Sequence, residues 1–439
     1  MDLWFKSITS MMESHLGIDR EVGMEYYTTS TMGVGGVLRV GLNDFVVDEV
    51  IDERYITSLN SSAPYILCRL SKIGIDTFEA LRRVSRATGI PVGFIGYAGL
   101  KDSKAATTQY ITVKCRDGIF NMLSRFNDDR LRIDVVAKCY ESLKPRMILG
   151  NRFRIVIRGV DLDPSIVRER IEDTFSQIED VGGVLAYFGY QRFGSTRPNT
   201  HKVGYYIVKG MWREAIYELL ANTYPYEDVK IKSVREKIAR YLEGYGELPE
   251  IPYKLYYESI VLRNLGKTLD YRKAILKLPR YVLRLFINSY QAYLFNKILS
   301  SRIRRGIPPG MAVQGDKVLS LKTGKVVMVD DEEAVEGDHV VLIDVPGCNT
   351  LLNNTDSSII VRQVLEDEDV NILDFKHPIE AKGSLRPALM KIKDLSYRVE
   401  FENNSSTIHL NFTLDRGMYA TVLLREIMKP ENPVTCNLA

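Results

Sequence analysis

The run Gly99-Leu100-Lys101-Asp102-Ser103-Lys104 sets one carboxylate between ammonium groups on a loop. Opposite charges nearby favour the ionised acid, so Asp102 is a competent carboxylate at neutral pH. Standing alone it reads as a turn residue that caps its own backbone, with catalysis as the second reading. Gln109 shares a strand face with Ile111 and Val113. On a core face its amide needs buried partners; at a strand end it is solvated. Asn151 and Phe153 begin another strand on one face, ahead of Ile155 and Ile157. An amide beside a ring suits a flat substrate, held by hydrogen bonds to its edge and stacking on its face, unless Phe153 is simply core.

Other candidates carry less. Gly33-Val34-Gly35-Gly36 precedes a strand, whereas a phosphate cradle needs a helix N-terminus or a nest of amides. Thr323-Gly324-Lys325 lacks the upstream glycine of a P-loop, which argues against ATP. The five cysteines form no CxxC and the five histidines no HExxH, so no metal or disulfide framework is expected.

The elements that must position these groups are legible in part. Val37–Val40 and Phe45–Val50 flank Gly41-Leu42-Asn43-Asp44 and predict a hairpin. Tyr65–Leu70 reads as a strand, and Asp76–Thr88 as a helix stopped by Gly89. Strands follow at Thr107–Lys114 and Asn151–Arg158, then a helix from Ser165 to about Ile178. Further on come a helix over Met211–Ala221, a long one over Tyr281–Arg305 and a hairpin of Lys317–Leu321 with Lys325–Asp330. The chain ends with strands Tyr397–Phe401 and Thr407–Thr413 and a helix from about Tyr419 to Met428. Strands and helices alternate without regular βαβ spacing, so the fold class is α+β.

The chain has 439 residues, 45% hydrophobic and 26% charged, which excludes disorder as its main state. No apolar run reaches the length of a membrane span, and the N-terminus lacks a secretory pattern. An odd cysteine count in a core-rich chain fits the cytoplasm. Net charge is +3, too small to argue for nucleic acid. Between Asn121 and Arg158, however, nine basic residues stand against four acids. That excess attracts phosphates or marks a solvated strand face.

Taken together, these segments resemble the archaeal and eukaryotic branch of the TruD family of RNA pseudouridine synthases. Gly99-Leu100-Lys101-Asp102 with Ala105, Thr108 and Gln109 resembles GxKDxxAxTxQ. Asp44–Glu49 resembles DFxVxE, and Gly150-Asn151-Arg152-Phe153 resembles GNxF. Tyr187–Gly194 is similar to YFGxQRFG, Arg197–Gly204 to RP..TH.VG, Tyr290–Asn296 to YQSYLFN, and Tyr419–Glu426 to YAT…RE. The chain departs from the pattern at Leu185, Ala186 and Ala292.

The resemblance implies a pseudouridine-synthase core, a mixed, mostly antiparallel sheet with flanking helices, holding an inserted α+β TRUD domain. The expected division is an extension over 1–30, a catalytic domain over 31–183 and 387–439, and an insertion over 184–386. It implies isomerisation of uridine to pseudouridine in RNA, most familiarly at uridine 13 of tRNA, on a base flipped out of its stack. Asp102 takes the place of the essential aspartate and Phe153 of the ring that stacks on the base. Asn151 and Gln109 line the pocket. Arg39 matches a basic position that pairs with the aspartate, Glu49 matches an acidic one, and Lys101 belongs to the aspartate motif. Lys104, Arg152, Arg154, Arg192, Arg302, Arg304 and Arg305 are the expected RNA contacts. The reaction conserves atoms and oxidation state, so neither cofactor nor ATP is expected. The competing reading is an RNA-binding or chaperone module on the same scaffold.

Overall fold

The computed structural model describes residues 11–99, 101, 105–331, 333–334 and 338–439. The chain divides into a sheet unit, 33–172 with 391–420, and a helical unit, 1–32 with 173–390 and 421–439.

In the sheet unit seven main strands are β1 (Phe45–Ile51), β2 (Tyr65–Ile73), β3 (Ala106–Lys114), β4 (Leu131–Cys139), β5 (Ile148–Val160), β6 (Ile392–Glu402) and β7 (Ser405–Asp415). They lie in the order β6-β7-β5-β1-β3-β2-β4, and two short strands complete a sheet of nine among the described residues. Every pairing of main strands is antiparallel except β1 with β3. The α+β class and the mixed, mostly antiparallel sheet are therefore as expected.

Side-chain alternation explains the strands. β1 buries Phe45, Val47, Glu49 and Ile51 in turn. β5 turns Phe153, Ile155 and Ile157 inward and Arg152, Arg154 and Arg158 outward, as period-two spacing predicts. Helix α1 (Thr77–Thr88) starts where the Asp76 carboxylate accepts the Glu79 N–H and ends at Gly89, whose φ is 66°. It packs Leu81 and Val84 on Cys68, Leu70, Ile111 and Val113. Burying each such large aliphatic side chain contributes about 1.5–3 kcal/mol.

The expected hairpin over 37–50 does not form. Val37 bridges Arg158 instead, and Arg39 adopts a left-handed φ of 55° that breaks the extended run. Asp44 decides the path: it accepts the Gly41 N–H at 2.7 Å and two bonds from Arg158 at 2.8 and 2.9 Å. Those bonds hold its carboxyl below the usual range.

The helical unit is built around α3 (Arg280–Arg304), against which α2 (Thr200–Val208) packs. Their approach depends on Gly204, where a Cβ would stand 2.1 Å from the Phe286 carbonyl oxygen. Residues 421–439, expected with the catalytic strands, and residues 11–30, expected as part of an extension, cluster here. A buried charge network accounts for this. Arg425, in α4 (Ala420–Met428), donates to Asp19 Oδ2 at 2.6 and 3.0 Å and to the carbonyls of Met24 and Tyr26. Glu426 accepts the N–H groups of Thr28 and Thr29.

Candidate active site

Three of the motifs lie on adjacent strands of the sheet unit. β1 carries Glu49, β5 carries Asn151 and Phe153, and β3 carries Gln109. Register sets Glu49 opposite Asn151 and Val47 opposite Phe153. Gly150 begins this stretch of β5 because β7 passes close: a Cβ there would lie 2.1 Å from the Leu414 carbonyl oxygen.

Lys101 ties these strands together. Its Nζ donates to Asn151 Oδ1 at 2.5 Å and pairs with Glu49 Oε1 at 3.2 Å. Its N–H donates to Thr77 Oγ1 at 2.9 Å, and its carbonyl accepts from the buried Lys72 Nζ at 3.3 Å. Thr77 Oγ1 in turn donates to Gln109 Oε1 at 2.9 Å. Main chain and side chain of Lys101 are thus both fixed. Leu100, Asp102, Ser103 and Lys104 lie outside the described residues.

Burial raises the Glu49 carboxyl above its ordinary range, against the opposing pull of Lys101 and the Tyr110 N–H, which donates to Oε2 at 2.8 Å. Gln109 is fully buried, and its Nε2 has no hydrogen-bond partner among the described residues. The core-face reading of Gln109 is the one that holds.

Phe153 is only 6% exposed. Phe412, directly opposite on β7, stacks on it with ring centroids 5.2 Å apart and planes at 24°. Phe45 meets it edge-on at 6.4 Å, and the Arg39 guanidinium lies 4.2 Å over the Phe45 ring. Arg39, Glu49, Lys101, Gln109, Asn151 and Phe153 are therefore linked through a handful of contacts. Thr77, Lys72 and Phe412 join them without having been singled out in the sequence. Thr77 follows a capping aspartate and looks like an ordinary helix start, while Phe412 gains its place only from long-range pairing.

The expected RNA contacts separate. Arg152 and Arg154 are exposed on the outer face of β5. Arg154 lies 3.3 Å from Asp48, and Arg152 has no ion pair among the described residues. Much of the basic stretch is neutralised locally: Arg132 by Asp134, Lys144 and Arg146 by Glu141, Arg158 by Asp44. In the helical unit, Arg192 is half-buried beside the Phe188 ring. Arg304 pairs with Glu25 yet is 56% exposed, and Arg305 is exposed. Arg302 is a correction. It is 2% exposed and pairs with the equally buried Asp316 at 2.7 Å, so it holds the fold instead of facing solvent.

The remaining motifs are structural within the helical unit. Asn296 accepts the Phe188 N–H and donates to the carbonyls of Phe188 and Val22. Tyr190 donates to Asp19, and Thr421 to Gln191. Arg197 donates to the carbonyls of Glu218, Leu219 and Asn222, closing the end of helix Trp212–Leu220. At the departure Ala186, the contacts are main-chain: its N–H donates to Ala388 and its carbonyl accepts from Arg386. Among the described residues no three His, Cys, Asp or Glu side chains converge as metal ligands, and no helix is long and apolar enough to cross a membrane.

Residues 21–427 match the family described as tRNA pseudouridine synthase D (TruD). A probable tRNA pseudouridine synthase D of Methanococcoides burtonii is 31% identical over 437 residues, covering 94% of this chain and 98% of the relative. One of the same name from Methanopyrus kandleri is 34% identical over 378 residues, covering 84% and 86%. The crystal structure of a putative tRNA pseudouridine synthase D from Methanosarcina mazei aligns with a TM-score of 0.75 at 29% identity, covering 93% of this chain and 97% of that one.

Proposed function

The chain belongs to the tRNA pseudouridine synthase D (TruD) family, whose members are isomerases acting on RNA, and from that premise we propose that it converts uridine 13 of tRNA to pseudouridine with Asp102 as the catalytic carboxylate. In this reaction the N1–C1′ bond breaks and a C5–C1′ bond forms. C5 gives up its proton and N1 gains one. Asp102 serves either as the nucleophile at C1′ or as the base that takes the C2′ proton, and each route needs it ionised beside the sugar.

The observation that carries this reading is the anchoring of Lys101. The peptide leading to Asp102 starts from a carbonyl held by Lys72, on a residue whose Nζ is held by Asn151 and Glu49. A reacting carboxylate requires fixed geometry, and the residue that precedes Asp102 in the chain is held in this way. Arg39, lying over Phe45, is the cation proposed to keep Asp102 ionised. Phe153, two residues along β5 from Asn151, is the ring proposed to stack on the flipped uracil and recover part of the unstacking cost, since base–aromatic stacking contributes about 1–3 kcal/mol.

The sheet unit is proposed as the pseudouridine-synthase core and the body of the helical unit as the inserted TRUD domain, with the enzyme acting on tRNA in the cytoplasm. Arg152, Arg154, Arg192, Arg304 and Arg305, with Lys104, are the proposed backbone contacts. The test is to incubate the protein with unmodified tRNA transcript and map pseudouridine at nucleotide resolution. Modification at position 13 is expected. Modification only elsewhere overturns the site, and none overturns the reading.

A further inference from the structure

Within the helical unit, away from any residue used above for chemistry, lies a cavity of about 460 Å³. Its wall is aromatic: His201, Tyr205 and Tyr206 come from α2, and Tyr290 and Tyr293 from α3. The rings form a continuous surface. Tyr290 and Tyr293 lie 6.2 Å apart at 18°, His201 and Tyr293 5.0 Å apart at 26°, and Tyr205 and Tyr290 5.4 Å apart at 62°.

The rest of the lining is acidic, with Glu21, Asp367, Glu368 and Asp369 against the single Lys202. Lys202 is spent on Glu21 at 3.1 Å, and Lys209 serves Asp369 at 3.3 Å. Asp367 and Glu368 have no basic side chain within ion-pair distance among the described residues. Their bonds come from Gln363 Nε2 at 2.9 Å and Tyr293 Oη at 2.8 Å. Both sit at the C-terminal end of helix Asp356–Asp367, where the helix dipole adds negative potential.

Two buried polar atoms of the lining have no hydrogen-bond partner among the described residues: Tyr290 Oη and His201 Nδ1. Their residues are 1% and 4% exposed. Burial pushes the His201 imidazole down to about 3, so the ring is neutral, and lifts the Tyr290 phenol, so it stays protonated. Buried polar atoms left unpaired are costly, and a donor reaching them from the cavity would remove that cost.

These features define the complement. Carboxylates repel phosphate and nucleic acid. Unpaired oxygen and nitrogen disfavour a pure hydrocarbon. Tyrosine faces, carboxylates and neutral acceptors together suit a cation that carries N–H donors on an aliphatic chain. We infer that this cavity is a binding site for an aliphatic polyammonium ion, its charged nitrogens at Glu368 and Asp367, its N–H donors on Tyr290 Oη and His201 Nδ1, and its methylenes against the tyrosines.

The full-length protein is titrated calorimetrically with spermidine at fixed ionic strength, with N-acetylated spermidine and Mg²⁺ in parallel. Spermidine is expected to saturate one site, with acetylation weakening it at least about tenfold through loss of charge-assisted contacts. Glu368→Gln should weaken binding by a similar factor, and Tyr290→Phe by less, with circular dichroism unchanged in both. Asp367→Asn, at an exposed position, serves if either variant fails to fold. The inference is overturned by absence of saturable binding at millimolar spermidine. Equal affinity of the variants and wild type, or displacement by Mg²⁺ in simple proportion to charge, overturns it as well. The readout is binding and not turnover, so it stands or falls apart from the uridine chemistry.

Discussion

Glu49 and Asn151 face each other across neighbouring antiparallel strands, and a single ammonium, Lys101 Nζ, bridges them at 3.2 and 2.5 Å. Three sequence motifs that are far apart along the chain meet in that contact. Its consequence is mechanical: Lys101 cannot shift without breaking an ion pair and a hydrogen bond inside a site where water does not easily replace them.

Asp102→Asn is the direct test of the proposed chemistry. The amide keeps size and polarity but neither attacks C1′ nor takes a C2′ proton. Pseudouridine formation on tRNA transcript, followed by mass spectrometry, should fall below detection, while tRNA affinity stays within a few-fold. Appreciable product from the variant would show that another group does the work.

Thr77 is expected to act through Lys101. Its hydroxyl accepts the Lys101 N–H and donates to Gln109 Oε1, so Thr77→Val leaves the buried Gln109 oxygen and the part-buried Lys101 N–H without this partner. The cost to stability is about 1–3 kcal/mol. Turnover should fall through kcat with KM little changed, and Thr77→Ser should restore it. A valine variant as active as wild type would remove Thr77 from the positioning network.

Much of this arrangement was legible in the sequence, and the failures have physical causes. Helix α1 was readable because Asp76 and Gly89 are local signals that act within one turn. β5 was readable because its alternation is a property of consecutive residues. The hairpin over 37–50 failed because Asp44 bonds to Arg158, 114 residues away, and no local pattern announces that. Phe412 was missed for the same reason: its place beside Phe153 is set by strand pairing across the sheet. Arg302 is different, since the signal was present. It falls four residues after Ile298 and eight after Leu294, on the buried face of α3, whereas Arg304 and Arg305 fall off it.

Glu49 gives a pH signature. Its carboxyl is raised in the folded protein by burial, so the folded state holds this proton more tightly than the unfolded chain does. Stability from this group is therefore fully present below the ordinary Glu range and lost as pH climbs to the raised value. Urea unfolding of wild type and Glu49→Gln between about pH 4 and pH 7 should show the wild type losing stability relative to the variant as pH rises, with a plateau beyond. A difference that runs the other way would mean that Lys101 outweighs burial.

Phe153→Leu separates packing from stacking. Leucine keeps an apolar side chain against Phe412, so stability should change by less than about 1.5 kcal/mol. The aromatic face is lost, and with it about 1–3 kcal/mol of base stacking, or roughly fivefold to 160-fold in kcat/KM. A variant with unchanged kcat/KM would make Phe153 a core residue and nothing more.

Arg152 and Arg302 should behave as opposites although both were expected to meet RNA. Arg152 is exposed and has no ion pair among the described residues, so Arg152→Gln should leave stability within about 0.5 kcal/mol of wild type. It should weaken tRNA binding and lower the slope of log affinity against log salt by about one. Arg302→Gln leaves Asp316 buried without its cation, which costs about 3–5 kcal/mol of stability. At temperatures where the variant remains folded, its salt slope should match the wild type, because a guanidinium that never faces solvent releases no counterions. Denaturation curves and binding isotherms at several salt concentrations distinguish the two. A lowered slope for Arg302→Gln with stability intact would return that arginine to the RNA-binding surface.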